Sequence, residues 1–170
     1  MTTYVALLRA VNVGGTGKLP MDELKRIAES AGLNRPRTYI ASGNLIIESD
    51  LAEAEVKRAL ETKLGEYAGK PVGVLVRDAA DIAEVLAGNP FPGARPDRTV
   101  AIFLDAAPPV DALDRLAGRT DEVLGIGRRE IYIHYQSGMG QSKLTIPAAK
   151  AGTARNMNTV AKLVSMAAEH

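Results

Sequence analysis

Three stretches of this 170-residue chain set a cation beside backbone that favours an anion. Gly14-Gly15-Thr16-Gly17 runs into Lys18, and apolar residues at helical spacing follow from Met21. Gly138-Met139-Gly140-Gln141 leads to Ser142 and Lys143, ahead of a stretch read as helix to about Lys150. Arg155-Asn156, with Asn158, opens the last amphipathic stretch. The first turn of a helix has unpaired N–H groups and the positive end of the helix dipole, so each arrangement adds side-chain charge to directed donors. The competing reading makes the glycines plain turns, Ser142 and Asn156 helix caps, and the cations solvated surface. If the loop before Ser142 and the start of the last helix face one cleft, Lys143 and Arg155 hold an anion between them. Spacing alone leaves that convergence open.

More demanding chemistries lack their residues. A Walker loop needs Gly, four residues, then Gly-Lys and a hydroxyl, but Asn12 stands at the first Gly and Leu19 at the hydroxyl. The dinucleotide fingerprint fails as well, because Pro20 follows Gly15 and Gly17 at the third glycine position. The absence of Cys removes disulfides, thiolate metal sites and a Cys nucleophile. His170 is terminal, and His134 lies in an alternating strand pattern with Tyr132 and Tyr135, so zinc ligation has no second imidazole at ligand spacing. No metal and no cofactor are therefore expected. Ser142 and Lys143 are adjacent, which on a helix turns them about 100° apart and argues against a Ser–Lys dyad.

The elements that must position these residues follow from periodicity. Tyr4–Val11 reads as a strand, and Met21, Leu24, Ile27, Ala28 and Ala31 as one helix face closed by Gly32. Thr38–Ala41 and Leu45–Glu48 form a hairpin about Ser42-Gly43-Asn44. Asp50 and Glu53 suggest a capping box before a helix with Val56, Leu60 and Leu64 inward, and Val72–Val76 is a further strand. The order βαββαβ is the ferredoxin-like plan. After a helix capped by Asp78 and the Asn89-Pro90-Phe91-Pro92-Gly93 linker, the plan restarts. Thr99–Leu104 is a strand, and a helix begins at Pro109 with Val110, Leu113 and Leu116. Glu122–Ile126 and Glu130–Tyr135 form a hairpin, and an extended piece near Thr153–Arg155 supplies a fourth strand. The fold class is thus α+β, two ferredoxin-like (αβ-plait) halves with extra helices. Residues 1–77 make the first half, 78–98 a helix and Pro-rich linker, and 99–170 the second half with its C-terminal helix. A single mixed sheet with helices on one side is the alternative.

Composition agrees with a globular α+β chain. Apolar residues make up 46%, enough for a core, and with no Trp and only two Phe that core must be aliphatic. The strands expected at Val5–Leu8 and Leu45–Ile47 lack the aromatic platform on which an RNA-recognition module stacks bases. Net charge is +1, but residues 78–127 hold 4 Lys+Arg against 9 Asp+Glu, and residues 128–170 hold 6 against 2. The C-terminal segment is the more basic. The apolar run Val5–Leu8, broken by Arg9, is too short for a signal peptide, so a cytoplasmic protein without membrane partners is expected.

Five ordered segments carry a resemblance. Leu7-Leu8-Arg9-Ala10-Val11-Asn12-Val13-Gly14-Gly15, Tyr39-Ile40-Ala41-Ser42-Gly43-Asn44, Asn89-Pro90-Phe91-Pro92, Ser142-Lys143-Leu144-Thr145 and Arg155-Asn156-Met157-Asn158-Thr159-Val160 resemble the signature segments of a bacterial family, domain of unknown function 1697. The resemblance runs from about residue 3 to 166 and implies a two-part αβ-plait fold, with no accepted activity. Members usually carry Trp where this chain has Met157. The polar signature residues Arg9, Asn12, Ser42, Asn44, Lys143, Arg155, Asn156 and Asn158, with Lys18 and Ser142, make the candidate ligand set. They serve equally as caps and turn formers. The expected function is a binding module for a phosphate-bearing small molecule or a nucleic-acid backbone. A structural or interaction protein forming homo-oligomers ranks second. An enzyme using Ser142 as nucleophile and Lys143 or Arg155 for charge ranks third.

Overall fold

The computed structural model describes residues 1–9, 19–39 and 43–169. In the N-terminal part the elements are β1 (Thr2–Leu8), α1 (Met21–Ser30), β2 (Asn34–Thr38), β3 (Asn44–Ser49), α2 (Glu53–Ala68) and β4 (Val74–Asp78). The strands pair in the order β2-β3-β1-β4, all antiparallel, which is the sheet of the βαββαβ plan. Side chains alternate across a strand, so Tyr4, Ala6, Leu8, Leu45, Ile47, Val74 and Val76 share one face. They form a single core with Leu24, Ile27 and Ala28 of α1 and Val56, Leu60 and Leu64 of α2. The opposite face presents Val5, Leu7, Ile46 and Leu75, all buried and none aromatic. α1 ends in Gly32, whose N–H reaches Glu29 C=O while Leu33 N–H reaches back to Ala28 C=O, a Schellman closure.

α3 (Ala79–Ala87) follows, with Asp78 Oδ1 accepting the Asp81 N–H at 2.8 Å as its cap. The second sheet contains β5 (Thr99–Phe103), β6 (Val123–Ile126), β7 (Glu130–His134) and β8 (Thr153–Asn156), and α4 (Met157–Ala167) closes the chain. Its order, β6-β7-β5-β8, repeats that of the first sheet, and the short extended piece after Gly152 is the fourth strand. The chain divides into two compact units, residues 1–83 with 163–170, and residues 84–162. Among the described residues no helix is long and apolar enough to cross a membrane.

Two expected helices are absent. Where residues 109–116 and 142–150 were read as helical, the chain makes only 3-10 turns, at Ala112–Asp114 and Pro147–Ala149. Ala117 and Thr145 exchange backbone hydrogen bonds of 3.1 and 2.8 Å, so an isolated bridge ties the two segments together. The bridge leaves only seven residues after Pro109, about two helical turns, and Val110 is left fully exposed. β2 is Asn34–Thr38, so it begins four residues ahead of the expected Thr38, because an edge strand tolerates Pro36; Ile40 and Ala41 lie outside the described residues. Leu7, Leu24, Ile27, Ile46, Leu60, Leu104, Ile131 and Leu163 are buried. Ile102 and Val164 are only half-buried.

Both edges of the first sheet are blunted. On β4, the Val74 N–H donates to Glu61 Oε2 at 3.0 Å and the Val74 C=O accepts from Lys57 Nζ at 2.6 Å. The two α2 side chains pair with each other at 3.0 Å, so a partner strand finds that position occupied. On β2, Pro36 lacks a donor and the register shifts between Asn34 and Arg37.

Candidate functional site

At the end of β1 the backbone ties three chain segments together. Leu8 N–H donates to Gly43 C=O and Arg9 N–H to Gly73 C=O, each at 2.9 Å. Tyr39 N–H donates to Asn44 C=O at 3.1 Å, and the Asn44 side-chain amide returns to Tyr39 C=O at 3.0 Å. Asn44 is 4% exposed, so this double bond is a buried clasp that closes the β2–β3 turn. That bond is the one a turn former makes. The Arg9 stem crosses Gly73 closely enough that a Cβ there would stand 2.9 Å from Arg9 Cδ. Gly73 is the bare surface over which this cation lies. Asn12, Lys18 and Ser42 lie outside the described residues.

The start of α1 contributes little to an anion site. Asp22 and Glu23 occupy its first turn, where they already complement the dipole and repel a second negative charge. An anion near Arg9 must therefore rely on side chains and loop backbone rather than on this helix terminus.

Ser142 serves a different purpose from the one expected. Its hydroxyl donates to Glu122 Oε2 in a short bond, and its oxygen accepts the Leu144 N–H at 3.3 Å. Glu122 is 2% exposed, and its other oxygen accepts the Thr120 N–H at 2.7 Å. Ser142 caps no helix here; it anchors one loop to another. The Ser142 hydroxyl first, and the Thr120 N–H second, hold the Glu122 carboxyl well below the ordinary carboxylate range, at about 2. Such a carboxylate is too weak a base to activate a serine, which removes support for Ser142 as a nucleophile. Sequence reading missed Glu122, since nothing in a spacing of twenty residues marks it as the partner of Ser142.

This pairing sets an acid dependence. The folded value lies below the unfolded one, so the stabilisation is present above the ordinary glutamate value of 4.5 and lost as pH falls toward about 2. Urea midpoints are expected to drop between about pH 5 and pH 3, and Glu122→Gln to flatten that drop. An unchanged acid limb in the variant would show that other carboxylates set it.

The segment that follows Lys143 packs on one face of the second sheet. Leu144 and Ile146 pack with Val100, Ile131 and Ile133. Arg155 stands opposite Ala101 on β5, and Ala101 alternates with Val100, so Arg155 lies on the other face. Arg155 is half-buried, and its Nη1 donates to Thr153 Oγ1 at 2.8 Å and Ala154 C=O at 2.9 Å. Burial pulls its guanidinium down to about 10. Asn156 is a helix cap: its Oδ1 accepts the Thr159 N–H at 2.9 Å at the start of α4, while Asn158 is exposed.

Comparison with the curated proteins returned no match. A similar solved structure is that of the conserved bacterial protein SP0830 from Streptococcus pneumoniae, with 25% identity, a TM-score of 0.77, and 98% of each chain covered. The likeness spans both sheets. A family model matches residues 1–132, a range that includes Arg9, Asn12, Ser42 and Asn44 and stops before Ser142 and Arg155. By that match the chain belongs to the family described as protein of unknown function DUF1697.

Proposed function

We propose that the protein is a binding module for a phosphate-bearing or other anionic ligand, taken at the end of the first sheet where β1 meets β3. The observation that supports it most is the 2.9 Å hydrogen bond from Leu8 to Gly43. It holds side by side the positions from which residues 10–18 and 40–42 lead off. Those segments carry Asn12, Lys18 and Ser42, and Arg9 stands at their junction over Gly73. A guanidinium with an ammonium, two amides or hydroxyls, and glycine backbone are the donor types that recognise phosphate oxygens.

The other two readings draw less support. Ser142 is committed to Glu122, and both edges of the first sheet are blunted against pairing with a second copy. Titration of the whole chain with pyrophosphate, ATP and a short oligonucleotide tests the reading and separates small phosphates from a nucleic-acid backbone. Arg9→Ala with Lys18→Ala is expected to weaken binding by at least about tenfold, because two charge-assisted bonds are lost. The thermal midpoint should stay near that of the parent, and added salt should shrink the difference. Equal binding by parent and variant, or no binding of any phosphate by the parent, would overturn it.

A further inference from the structure

A strand whose outer side is bare is a template for another strand, and the two sheets differ in this respect. Both edges of the first are blunted, whereas the second ends on β6, Val123-Leu124-Gly125-Ile126, which carries neither Pro nor charge. Gly127 N–H donates to Glu130 C=O at 2.8 Å, and Gly125 and Val123 stand opposite Tyr132 and His134. Hydrogen-bonded pairs alternate along an antiparallel ladder, so Val123, Gly125 and Gly127 turn their backbone groups toward β7. Leu124 and Ile126 turn theirs outward, and among the described residues no hydrogen bond meets them. The bare stretch is short, since the Glu122 C=O already accepts Arg119 Nε at 3.0 Å. A Cβ added at Gly125 would stand 2.8 Å from Pro90 Cγ. Side chains leave a sheet perpendicular to it, so Pro90 lies over the face of the strand rather than along its edge. Ile126 is 50% exposed.

We propose that β6 pairs antiparallel with β6 of a second copy about a two-fold axis at Gly125, joining their second sheets into one. The flanking charges select this occupant. Asp121 and Glu122 precede the strand, and Arg128 and Arg129 follow it. Antiparallel pairing about Gly125 sets position 121 against 129 and 122 against 128, so each copy's acids meet the other's arginines. A parallel second copy would set like charges together. In the antiparallel register Leu124 and the second copy's Ile126 exchange both backbone hydrogen bonds, and the reciprocal pair does the same. Their side chains meet across the strands and cover the exposed Ile126. Gly125 faces Gly125 at the axis and adds no side chain where Pro90 already lies. Arg128 keeps its own exposed pair with Glu84, and its charge still acts on the facing acids, because screening at 0.1 M salt extends over about 10 Å. The pairing does not depend on the anion site at the end of the first sheet.

An interface of one short strand falls below about 1,200 Å² and associates weakly, so sedimentation of the full chain is followed from micromolar to millimolar concentration. A reversible monomer–dimer equilibrium is expected. Hydrogen exchange at the Leu124 and Ile126 amides should slow as the dimer forms, while Gly125 and Gly127, whose N–H groups face β7, change little. Ile126→Lys should weaken association by about tenfold, as lysine protects natural sheet edges. Asp121→Lys and Arg128→Glu should each weaken self-association, because both ends of the pair lose attraction. Mixed in equal amounts, the two should associate about tenfold more tightly than either alone, since the arginines of the first still meet the acids of the second. If Ile126→Lys fails to fold, this complementation decides the matter. A chain that stays monomeric at millimolar concentration, with both amides exchanging freely, overturns the pairing and leaves the edge to a strand of another protein. A dimer insensitive to all three substitutions, or a mixture no tighter than its parts, overturns it as well.

Discussion

Gly118→Ala is expected to lower stability by about 3–4 kcal/mol, which makes it among the most damaging single-methyl additions in the second unit. Gly118 has a φ of +72°, where an L side chain costs about 1–2 kcal/mol. The added Cβ would also stand 2.1 Å from the Lys143 carbonyl oxygen, a backbone atom that cannot rotate away. Relief requires the Ala117–Thr145 bridge to open, with two hydrogen bonds worth about 1 kcal/mol each. That movement also carries Ser142 away from Glu122. Urea denaturation followed by circular dichroism measures the loss. A change below about 1 kcal/mol would mean that the loop pair is not fixed as described.

Leu60→Ala comes close to it, with an expected loss of about 2–5 kcal/mol. Leu60 is fully buried at the centre of the α2 stripe, against the Tyr4, Ala6, Leu45 and Ile47 face of the first sheet. The cost joins the lost transfer of the isobutyl group to a cavity that strands on one side and helix on the other keep from collapsing. Ala54, six residues earlier on α2, is exposed and supplies the contrast: Ala54→Ser should change stability by no more than about 0.5 kcal/mol. Equal effects at the two positions would contradict the assigned helix face.

The first unit was legible because its signals are local and agree. Leu24, Ile27 and Ala28 recur at helical spacing, Gly32 closes the helix, and the strand residues are apolar on both faces. β8 was legible for a similar reason, since Thr153–Arg155 sits between a turn and a capped helix. The misread stretches are those in which a distant contact overrides propensity. Val110, Leu113 and Leu116 have helical spacing, but the bridge from Ala117 to Thr145 is made 28 positions along the chain and leaves no room for a helix. Ser142 followed a glycine loop and so looked like a cap, while its actual partner, Glu122, is held by the fold alone. Of the candidate ligand residues, Asn44 and Asn156 have identified backbone partners that account for them as a turn clasp and a cap. Arg9 gains meaning through Gly73, a pairing that only the β1–β4 register reveals.

Mapping amide shifts on addition of inorganic pyrophosphate tests the central claim most directly. Saturable changes confined to Leu8, Arg9, Gly43, Asn44 and Gly73, and lost in the Arg9→Ala, Lys18→Ala double variant, are the predicted result. Changes centred instead on Lys143 or on Arg155, or none at millimolar pyrophosphate, would contradict an anion site at the end of the first sheet.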